Sequence, residues 1–320
     1  MSVLGDLYYK AQQKQIPLTV HFDLTYRCHQ RCIHCYIPES WRRGEGPGPE
    51  LSTLKVKNIL DQLAAAGTFF LTFSGGEIFL RSDFFEILEY ARSKNFCCTL
   101  LSSGTCNLEV DHLKELKRIQ IERLAVSFYS LEDLIHDQIT GVPGSRAKVC
   151  QVVKKCQDLG IRTAFNCLVL SLNYGEVHEL RAYAAREGIP IRFDSEVGPR
   201  FDGSSHLAGL ALDKDVWDHM WNGIEEVANF EIAARGCNAA INSCYINPLG
   251  EVLPCIDFPL SCGSLRNGGD FAQIWHESPM FGRVRLLQER LNQANENLCW
   301  HRKQINTWQC DQTTLEEERL

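Results

Sequence analysis

The sequence predicts an α/β protein, a partial (β/α)6 TIM barrel followed by a small C-terminal domain made of a β-hairpin and helices. Between residue 18 and about residue 200, short strand-like runs alternate with helical patterns. Six such alternations favour a parallel sheet with right-handed crossovers. Because a complete barrel needs eight units, we expect an open, three-quarter barrel. The alternation stops after a helical segment at 213–230.

The predicted strands are short runs rich in apolar and β-branched residues. They cover residues 18–24, 69–74, 97–101, 123–128, 162–170 and 189–194. Four apolar residues share one face of the helix after strand one, and Ser52 or Thr53 caps its start. They are Val56, Ile59, Leu60 and Leu63. Gly67 and Gly160 stand just past helix ends, where a left-handed residue is favoured. Further helices fall near 83–93, 109–118, 145–158 and 175–187.

The C-terminal part contains a hairpin. The stretch SCYINPLGEVLPC has two alternating runs around the turn Asn247-Pro248-Leu249-Gly250. We therefore divide the chain into four segments. They are an N-terminal extension (1–16), the barrel (17–210), a helical linker (211–235) and the C-terminal domain (236–320).

The composition excludes several classes of partner. The net charge is −7 and the pI about 5.8, and no long basic run is present, so a nucleic-acid partner is disfavoured. No stretch reaches roughly 18 uninterrupted apolar residues, so we expect no membrane span. The first residues, MSVLGDLYYKAQQKQ, lack the pattern of a secretory signal, and we expect a cytoplasmic protein.

The 15 cysteines are informative, because thiols stay reduced in the cytosol. A disulfide framework is therefore not expected, and metal or redox chemistry is the first hypothesis. Five cysteines lie in apolar strand or helix patterns, and we predict that they are small core residues. They are Cys97, Cys98, Cys150, Cys156 and Cys167. Cys106 has little context and remains unassigned.

The stretch CHQRCIHC places Cys28, Cys32 and Cys35 at spacings of four and three residues. Two kinds of metal centre suit this triplet. Zinc takes four ligands, and His29 or His34 can supply the fourth. A four-iron cluster normally takes four cysteines, so a triplet leaves one iron open. We favour the open iron, because the next cysteine lies far along the chain in a strand pattern.

CHQRCIHC matches CxxxCxxC, the cluster motif of radical S-adenosylmethionine (radical SAM) enzymes, and resembles it in context. It follows the first strand and precedes an aromatic residue, Tyr36. The resemblance implies a [4Fe–4S] cluster whose open iron is chelated by the amino and carboxylate groups of S-adenosylmethionine. In that family, reductive cleavage of the sulfonium gives a 5′-deoxyadenosyl radical that removes hydrogen from C–H bonds. A reductant such as flavodoxin or ferredoxin is implied as a partner.

The stretch FSGGEIF is similar to the second mark of that family. There a glycine pair and a glutamate end strand two and contact the methionine amino group. Gly75 and Gly76 permit close approach of the backbone, and Glu77 can accept hydrogen bonds from an ammonium. The resemblance therefore implies that these three residues bind S-adenosylmethionine.

Weaker similarities extend to about residue 200. The stretch LLSSGT resembles the strand-three segment, with Ser103 before Gly104 where the family often has asparagine, and the resemblance implies that Ser103 binds the cofactor. Ser127 is the implied contact for the cofactor carboxylate, in a stretch that resembles vS-D-x…HD-x-x-R-G. Tyr129 replaces the usual acid of that stretch, and Thr140 stands where a carboxylate-binding arginine is common.

Two further cofactor contacts are implied by the resemblance. His34 stands at the usual bulky position before the third cysteine and is expected near the adenine. Asn166, in the strand-five segment, is expected to face the cofactor. No catalytic acid or base is identified. The candidates at or near strand ends are Asp23, Tyr129, Asp194, Glu196 and Arg200.

The C-terminal cysteines resemble an appended iron–sulfur domain called SPASM or, when shortened, twitch. Its opening mark is satisfied by Cys237, twelve residues, Gly250, four residues and Cys255. Cys244 lies between them as a third expected ligand, and Cys310 completes one auxiliary [4Fe–4S] cluster. The later part of the pattern lacks its middle cysteines, so one auxiliary cluster is expected and not two.

Three points about this domain stay open. Cys262 is a spare cysteine, and Cys299 either remains from a degraded second site or replaces one of the four ligands. A four-thiolate site can instead be structural zinc, although the spacing is loose for a zinc finger.

The resemblance favours a maturase that modifies a ribosomally made peptide, and this rests on analogy between folds. Only 17 residues precede strand one, so we expect a separate leader-binding protein or direct docking of the peptide. The alternatives are a radical dehydrogenase of a small alcohol or sugar, a formylglycine maturase, and a non-catalytic iron–sulfur or zinc protein.

Overall fold

A computed structural model describes residues 3–106, 108–195, 197–198, 200–204, 209–221 and 237–293. The candidates Glu196, Cys299 and Cys310 and most of the predicted linker lie outside these residues. The described strands are β1 (Thr19–Thr25), β2 (Phe70–Gly75), β3 (Cys97–Ser102), β4 (Arg123–Ser127), β5 (Thr163–Leu168), β6 (Ile191–Asp194), β7 (Ser243–Ile246), β8 (Glu251–Leu253) and β9 (Gly263–Ser264).

The helices occupy the connections between strands and both ends of the described chain. They are α1 (Val3–Gln13), α2 (Glu39–Arg42), α3 (Thr53–Ala65), α4 (Phe84–Ser93), α5 (Val110–Ile119), α6 (Asp133–Thr140), α7 (Ser145–Asp158), α8 (Val177–Arg186), α9 (Lys214–Trp221), α10 (Phe271–Glu277) and α11 (Pro279–Gln293). Short 3₁₀ turns follow β2 at Ile78–Leu80 and precede α8 at Tyr174–Glu176.

The strands form one sheet in the order β6-β5-β4-β3-β2-β1-β7-β8-β9. Strands β1 to β6 pair in parallel and in sequence order. Within the described residues, β6 and β9 are the two edges, so the sheet is open. The predicted α/β class with a six-strand partial barrel is therefore confirmed. In such a sheet, ligands gather where the carboxyl ends of the parallel strands meet.

The predicted helix after strand one is α3, and its apolar face forms part of the core. Val56, Ile59, Leu60 and Leu63 are all at most 1% exposed. Ser52 is the N-cap, because its hydroxyl accepts from the backbone N–H of Lys55. Burial of this face against the sheet removes four apolar side chains from water, which holds the helix more strongly than propensity does.

The C-terminal hairpin continues the barrel sheet. Strands β7 and β8 pair antiparallel around the predicted turn, and Gly250 has a φ of +87°. Strand β7 also pairs in parallel with β1, with Thr19 opposite Ser243 and Phe22 opposite Ile246. The sequence did not predict this pairing. The segment boundaries given above remain predictions.

Several elements were not predicted from the sequence. Helix α1 lies in the predicted N-terminal extension, and α10 and α11 follow the hairpin. Trp275 of α10 is fully buried and donates its indole N–H to the carbonyl of Gln15, just after α1. The two ends of the described chain therefore pack together.

The predicted core cysteines lie in the hydrophobic interior. Cys98, Cys156 and Cys167 are fully buried, and Cys97 and Cys150 are half-buried. Cys106, left unassigned, is half-buried beside the core. Burial raises the pKa of the Cys98 and Cys156 thiols to about 12, so both stay protonated at neutral pH. In the part of the chain that the structure describes, no helix has the length and apolar character needed to cross a membrane.

A buried polar network closes the turn between α6 and α7. The Nδ1 of His136 lies 2.6 Å from Oγ of Ser145, and that hydroxyl donates to Asp137 at 2.7 Å. Because the Ser145 proton goes to Asp137, His136 donates from Nδ1 and keeps Nε2 as the unprotonated nitrogen. His136 is 0% exposed, and burial lowers its pKa to about 4. Desolvation penalises the charged imidazolium and thereby keeps this histidine neutral.

We predict a component of stability that disappears in acid because of His136. The unfolded histidine takes up a proton near pH 6.5, whereas the folded one does so near pH 4. The unfolded state therefore binds more protons in this window, and the free energy of unfolding falls by up to about 3 kcal/mol between pH 6.5 and 4. Urea unfolding of the wild type and His136→Asn at several pH values measures it. An identical pH slope for the two proteins would contradict the prediction.

Candidate cofactor site

The three predicted cluster cysteines lie in the loop after β1, at the carboxyl end of the sheet. Cys28, Cys32 and Cys35 are each half-buried, and the loop turns so that the N–H of Cys35 donates to the carbonyl of Cys32 at 3.3 Å. Gln30 is 4% exposed and sits between the thiols. Its N–H donates to Sγ of Cys28 at 3.4 Å, and its Oε1 accepts from the Cys32 thiol at 3.0 Å.

Backbone hydrogen bonds fix this loop to two neighbouring segments. The N–H groups of Arg31 and Ile33 donate to the last carbonyls of α6, at Thr140 and Ile139, both at 3.0 Å. The N–H of Cys28 donates to the carbonyl of Arg42, at the end of α2. The loop is therefore held by main-chain contacts that do not depend on a bound metal.

The electrostatics of the thiols suit a metal cluster. Burial raises the pKa of the Cys28 thiol to about 12 and also raises those of Cys32 and Cys35. A charged Cys35 adds to the rise at Cys28 and Cys32, and a charged Cys28 adds to it at Cys32, whereas the buried guanidinium of Arg42 lowers the pKa of all three thiols. Thiolates in such a place need a strong cationic centre, and iron supplies one.

The donor set therefore fits a three-cysteine iron site. Three thiolates of this spacing are the ligand chemistry of an iron–sulfur cluster. No three cysteine, histidine or acidic side chains converge into ligand geometry anywhere in the described ranges. The assignment of Cys28, Cys32 and Cys35 as ligands thus rests on their chemistry and their shared loop, and it stays a prediction.

The turn after β2 is built against the start of the cysteine loop. The N–H of Gly76 donates to the carbonyl of Thr25 at 2.7 Å, and that of Glu77 donates to the carbonyl of Arg27 at 2.8 Å. A Cβ on Gly75 would lie 2.2 Å from the Thr25 carbonyl oxygen, and one on Gly76 would lie 2.3 Å from that of Arg27. Gly75 also has a φ of +130°. Only glycine permits this approach.

Glu77 is a fully buried carboxylate surrounded by neutral donors. Its oxygens accept hydrogen bonds from the Ser102 hydroxyl and from the N–H of Ser103, each at 3.0 Å. They also accept from the Ser103 hydroxyl. Among the described residues, no lysine, arginine or histidine nitrogen lies within 4.0 Å of it. A buried carboxylate without a cation nearby is unfavourable. The site therefore suits a ligand that brings a positive group, such as an ammonium.

The other predicted contacts lie on the next strands or above them. Ser127 ends β4 and stands opposite Asn166 of β5, and both residues are half-buried. The Nε2 of His34 lies 3.3 Å from the hydroxyl of Tyr129, and the two rings pack edge to face. The roles of Ser127, Asn166 and His34 as cofactor contacts stay predictions.

The candidate acids and bases have different surroundings. Asp23 is fully buried in β1 and Tyr129 is 6% exposed. Asp194 is half-buried at the end of β6, 3.5 Å from Arg192. Thr140, at the position where the resembling family often has arginine, is fully buried, and its hydroxyl lies 3.0 Å from the His136 carbonyl oxygen and 2.9 Å from Oγ of Ser145. Thr140 therefore belongs to the hydrogen-bond network that stabilises the turn between α6 and α7.

Three of the four predicted auxiliary ligands are described. Cys244 is buried in β7, and Cys237 and Cys255 are half-buried on either side of the hairpin. The fourth, Cys310, lies outside the described residues. The structure also brings Cys262 near Cys244. Burial raises the pKa of the Cys244 thiol, Cys262 adds to that rise, and both thiols interact with Arg285. The spare cysteine of the sequence is thus a neighbour of the auxiliary site.

Comparison with protein families agrees with both halves of this site. Residues 22–184 match the model of the radical SAM superfamily, and residues 237–303 match SPASM, described as an iron–sulfur cluster-binding domain. The first match covers half of the chain. The chain therefore belongs to the radical SAM superfamily and is a radical SAM enzyme with a C-terminal SPASM-type segment.

Three curated proteins illustrate its relatives. The antilisterial bacteriocin subtilosin biosynthesis protein AlbA of Bacillus subtilis is 29% identical over 76% of this chain, which spans only 56% of AlbA. The AdoMet-dependent heme synthase of Nitratidesulfovibrio vulgaris is 24% identical, covering 84% of this chain and 82% of that protein. The PqqA peptide cyclase of Rhodopseudomonas palustris is 27% identical, covering 84% and 76%.

A solved structure supports the fold. The crystal structure of Streptococcus suis SuiB bound to precursor peptide SuiA aligns with a TM-score of 0.67. It covers 88% of this chain and 70% of SuiB, at 15% identity. Family membership and fold together mean that this protein uses S-adenosylmethionine with a [4Fe–4S] cluster and carries auxiliary iron–sulfur binding in its SPASM-type segment.

Sequence reasoning missed three residues of the site. Gln30 and Arg42 are buried polar residues whose contacts with the cysteine loop have no local signature. Cys262 was noticed but given no role. Its spacing from the end of the hairpin, seven residues after Cys255, was the available signal.

We predict that Gly76→Ala weakens S-adenosylmethionine binding by about five- to 150-fold, because the new Cβ forces the turn away from the cysteine loop. Overpacking of this kind costs about 1–3 kcal/mol, which corresponds to such a factor. Equilibrium dialysis with labelled S-adenosylmethionine measures the affinity. Gly175→Ala is the control, since its Cβ would meet nothing within 4 Å. Wild-type affinity in Gly76→Ala would refute the close-approach role.

Proposed function

We propose that this protein is a radical SAM maturase that abstracts hydrogen from a ribosomally made peptide. The observation that carries the proposal is the junction of the cysteine loop with the Gly75–Glu77 turn. There three thiols, a fully buried carboxylate and two close-packed glycines meet at the carboxyl ends of β1 and β2. Such a junction suits a cofactor with both a metal-chelating end and a cationic end.

Each group of residues then has one role. Cys28, Cys32 and Cys35 hold the [4Fe–4S] cluster, and the Arg42 guanidinium offsets part of the negative charge of the thiolates. Glu77 accepts from the methionine ammonium, and Gly75 and Gly76 let the backbone approach it. When bound, the cluster and S-adenosylmethionine supply a 5′-deoxyadenosyl radical that removes hydrogen from a C–H bond.

The remaining predicted contacts orient the nucleoside and the carboxylate. Ser127 offers a hydroxyl to the cofactor carboxylate, and Asn166 stands beside it in the sheet. His34, held by Tyr129, faces the adenine, and Ser103 supports Glu77. These roles follow the order of the strand ends along the sheet.

A peptide substrate is supported by two relatives, a bacteriocin biosynthesis protein and a peptide cyclase. The heme synthase relative covers as much of the chain, so a small-molecule substrate is the competing outcome of the test below. We also propose a flavodoxin- or ferredoxin-type reductant, a separate leader-binding protein or direct docking of the peptide, and a cytoplasmic location. The location is suggested by 15 cysteines, which suit a reducing compartment.

We predict that reconstituted protein cleaves S-adenosylmethionine under a strong reductant, and that a candidate precursor peptide increases the yield of 5′-deoxyadenosine. The peptide changes in mass or retention in the same reaction, because hydrogen removal leads to a modified product. Mass spectrometry measures both products. The variant with Cys28, Cys32 and Cys35 all changed to alanine loses the nucleoside, whereas Cys156→Ala, a core cysteine, keeps it. Stimulation by a small alcohol or another small metabolite and by no peptide would replace the peptide proposal.

We predict about eight irons per chain after anaerobic reconstitution, four for each of two clusters. Cys244→Ala lowers the content to about four, because the auxiliary site loses a buried ligand. Iron analysis beside zinc analysis measures it. Cys262→Ala tests whether the neighbour of Cys244 is a ligand. If the iron content also falls, Cys262 is a ligand. If the iron content is unchanged, the predicted ligand set that includes Cys310 is supported. About four irons in the wild type, with zinc present, would show the auxiliary site to be structural zinc.

A further inference from the structure

Asp23 of β1 is a fully buried carboxylate with three donors around it. The hydroxyls of Tyr36 and Tyr245 both donate to its Oδ2 at 2.7 Å. The Nε2 of His21 lies 3.0 Å from its Oδ1. Among the described residues, no lysine or arginine nitrogen lies within 4.0 Å of this carboxylate.

The two phenols come from the two parts of the chain that carry cysteines. Tyr36 directly follows Cys35, the third cysteine of the cluster loop. Tyr245 directly follows Cys244 in β7, 222 residues along the chain from Asp23. One oxygen atom of Asp23 therefore receives hydrogen bonds from a neighbour of each predicted cluster.

The same group reaches the cofactor turn. The Tyr36 hydroxyl also lies 3.5 Å from the carbonyl oxygen of Gly75, and Asp23 stands opposite Ser74 in the β1–β2 pairing. The ring of Phe201 packs against Tyr36 and Tyr245, at 5.1 and 6.2 Å between centroids. Asp23 and Tyr245 are fully buried, whereas His21, Tyr36 and Phe201 are half-buried, so the hydrogen bond between Tyr245 and Asp23 is the part of the network that is shielded from water. Hydrogen bonds to a charge are strong where water is excluded.

A packing role alone does not account for this arrangement. Burying a carboxylate costs several kcal/mol, and apolar residues of similar volume usually fill such a place at no loss of stability. Here one buried carboxylate is shared by two segments that are far apart in the chain and meet beside the β1–β7 pairing. Polar networks of this kind specify a single relative position of the parts they join.

We propose that Asp23, Tyr36 and Tyr245 form a positioning unit that couples the S-adenosylmethionine cluster to the auxiliary cluster. The proposal rests on the cysteine assignments of the proposed function. The reduction potential of an iron–sulfur cluster depends on nearby charge and hydrogen bonds. A phenol that donates to Asp23 disperses its negative charge. Loss of the Tyr245 hydroxyl therefore concentrates this charge and disfavours reduction of the cluster on the other side of the carboxylate.

The test compares variants by electron paramagnetic resonance of the anaerobically reconstituted full chain, poised at one fixed potential. Tyr245 is adjacent to the auxiliary Cys244, yet we expect Tyr245→Phe to lower the ratio of reduced to oxidised S-adenosylmethionine cluster by about two- to fivefold. This is less than the full value of one hydrogen bond to a charge, because only the difference between the two redox states shifts the ratio. Asp23→Asn removes the charge itself, so it raises this ratio. The signal that responds to added S-adenosylmethionine identifies the cluster being measured.

Tyr90→Phe is the matched control. Tyr90 also donates to a carboxylate, that of Asp61 at 2.9 Å, but it lies on the outer helix α4. We expect no change in the ratio for this variant. General loosening of the fold moves all variants in one direction, whereas the proposal requires opposite signs for Tyr245→Phe and Asp23→Asn.

Two outcomes would overturn the coupling. One is a wild-type ratio in Tyr245→Phe with unchanged iron content, and the other is a shift of the same sign in both variants. If Asp23→Asn fails to load iron, Tyr36→Phe replaces it and must lower the ratio as Tyr245→Phe does; a wild-type ratio there also overturns the coupling. A wild-type protein without a signal that responds to S-adenosylmethionine refutes the proposed function first, and the coupling with it.

Discussion

The close approach of two backbone segments at the carboxyl ends of β1 and β2 is the constraint on which the site depends. The carbonyls of Thr25 and Arg27 accept from Gly76 and Glu77, and this leaves no space for a side chain at either glycine. The cysteine loop starts directly after these carbonyls. Its geometry and that of the Gly75–Glu77 turn are therefore one unit, and displacement of either moves both.

The charges around this unit are arranged for a ligand that is itself charged. Glu77 and Asp23 are fully buried acids without a lysine or arginine neighbour in the described residues. Arg42 is a buried base beside the thiols. Buried charges are unfavourable unless paired, and S-adenosylmethionine has a sulfonium, an ammonium and a carboxylate. Burying these charged side chains costs folding free energy, and burial of apolar side chains beneath the sheet offsets this cost. A locally unfavourable arrangement of this kind indicates a functional site.

The sequence was sufficient for those features that repeat locally. Local sequence signals predict the six barrel strands, the apolar face of α3 and the hairpin turn. Each signal is a periodicity of apolar residues or a turn residue within a few positions of the chain. The cysteine triplet and the glycine pair were visible for the same reason.

Contacts made across the fold were not visible. The pairing of β7 with β1 joins positions far apart in the chain, and a four-residue strand has no pattern that names its neighbour. The roles of Gln30 and Arg42 likewise come from the path of the loop around them. Thr140 departed from the family pattern in sequence, but its inward hydroxyl became evident only with Ser145 beside it.

The β1–β7 pairing also determines how the two cysteine groups are related in space. Adjacent strands in a sheet lie about 4.8 Å apart, and their register is fixed by the ladder of hydrogen bonds. Strand β1 leads into Cys28, and β7 contains Cys244, opposite Val20. The spacing between the two groups is therefore set by the sheet and by the side chains that cross it, Asp23 and Tyr245. A linker of any length can connect the two parts of the chain without changing this distance, because the hydrogen-bonded strands and not the connection hold it.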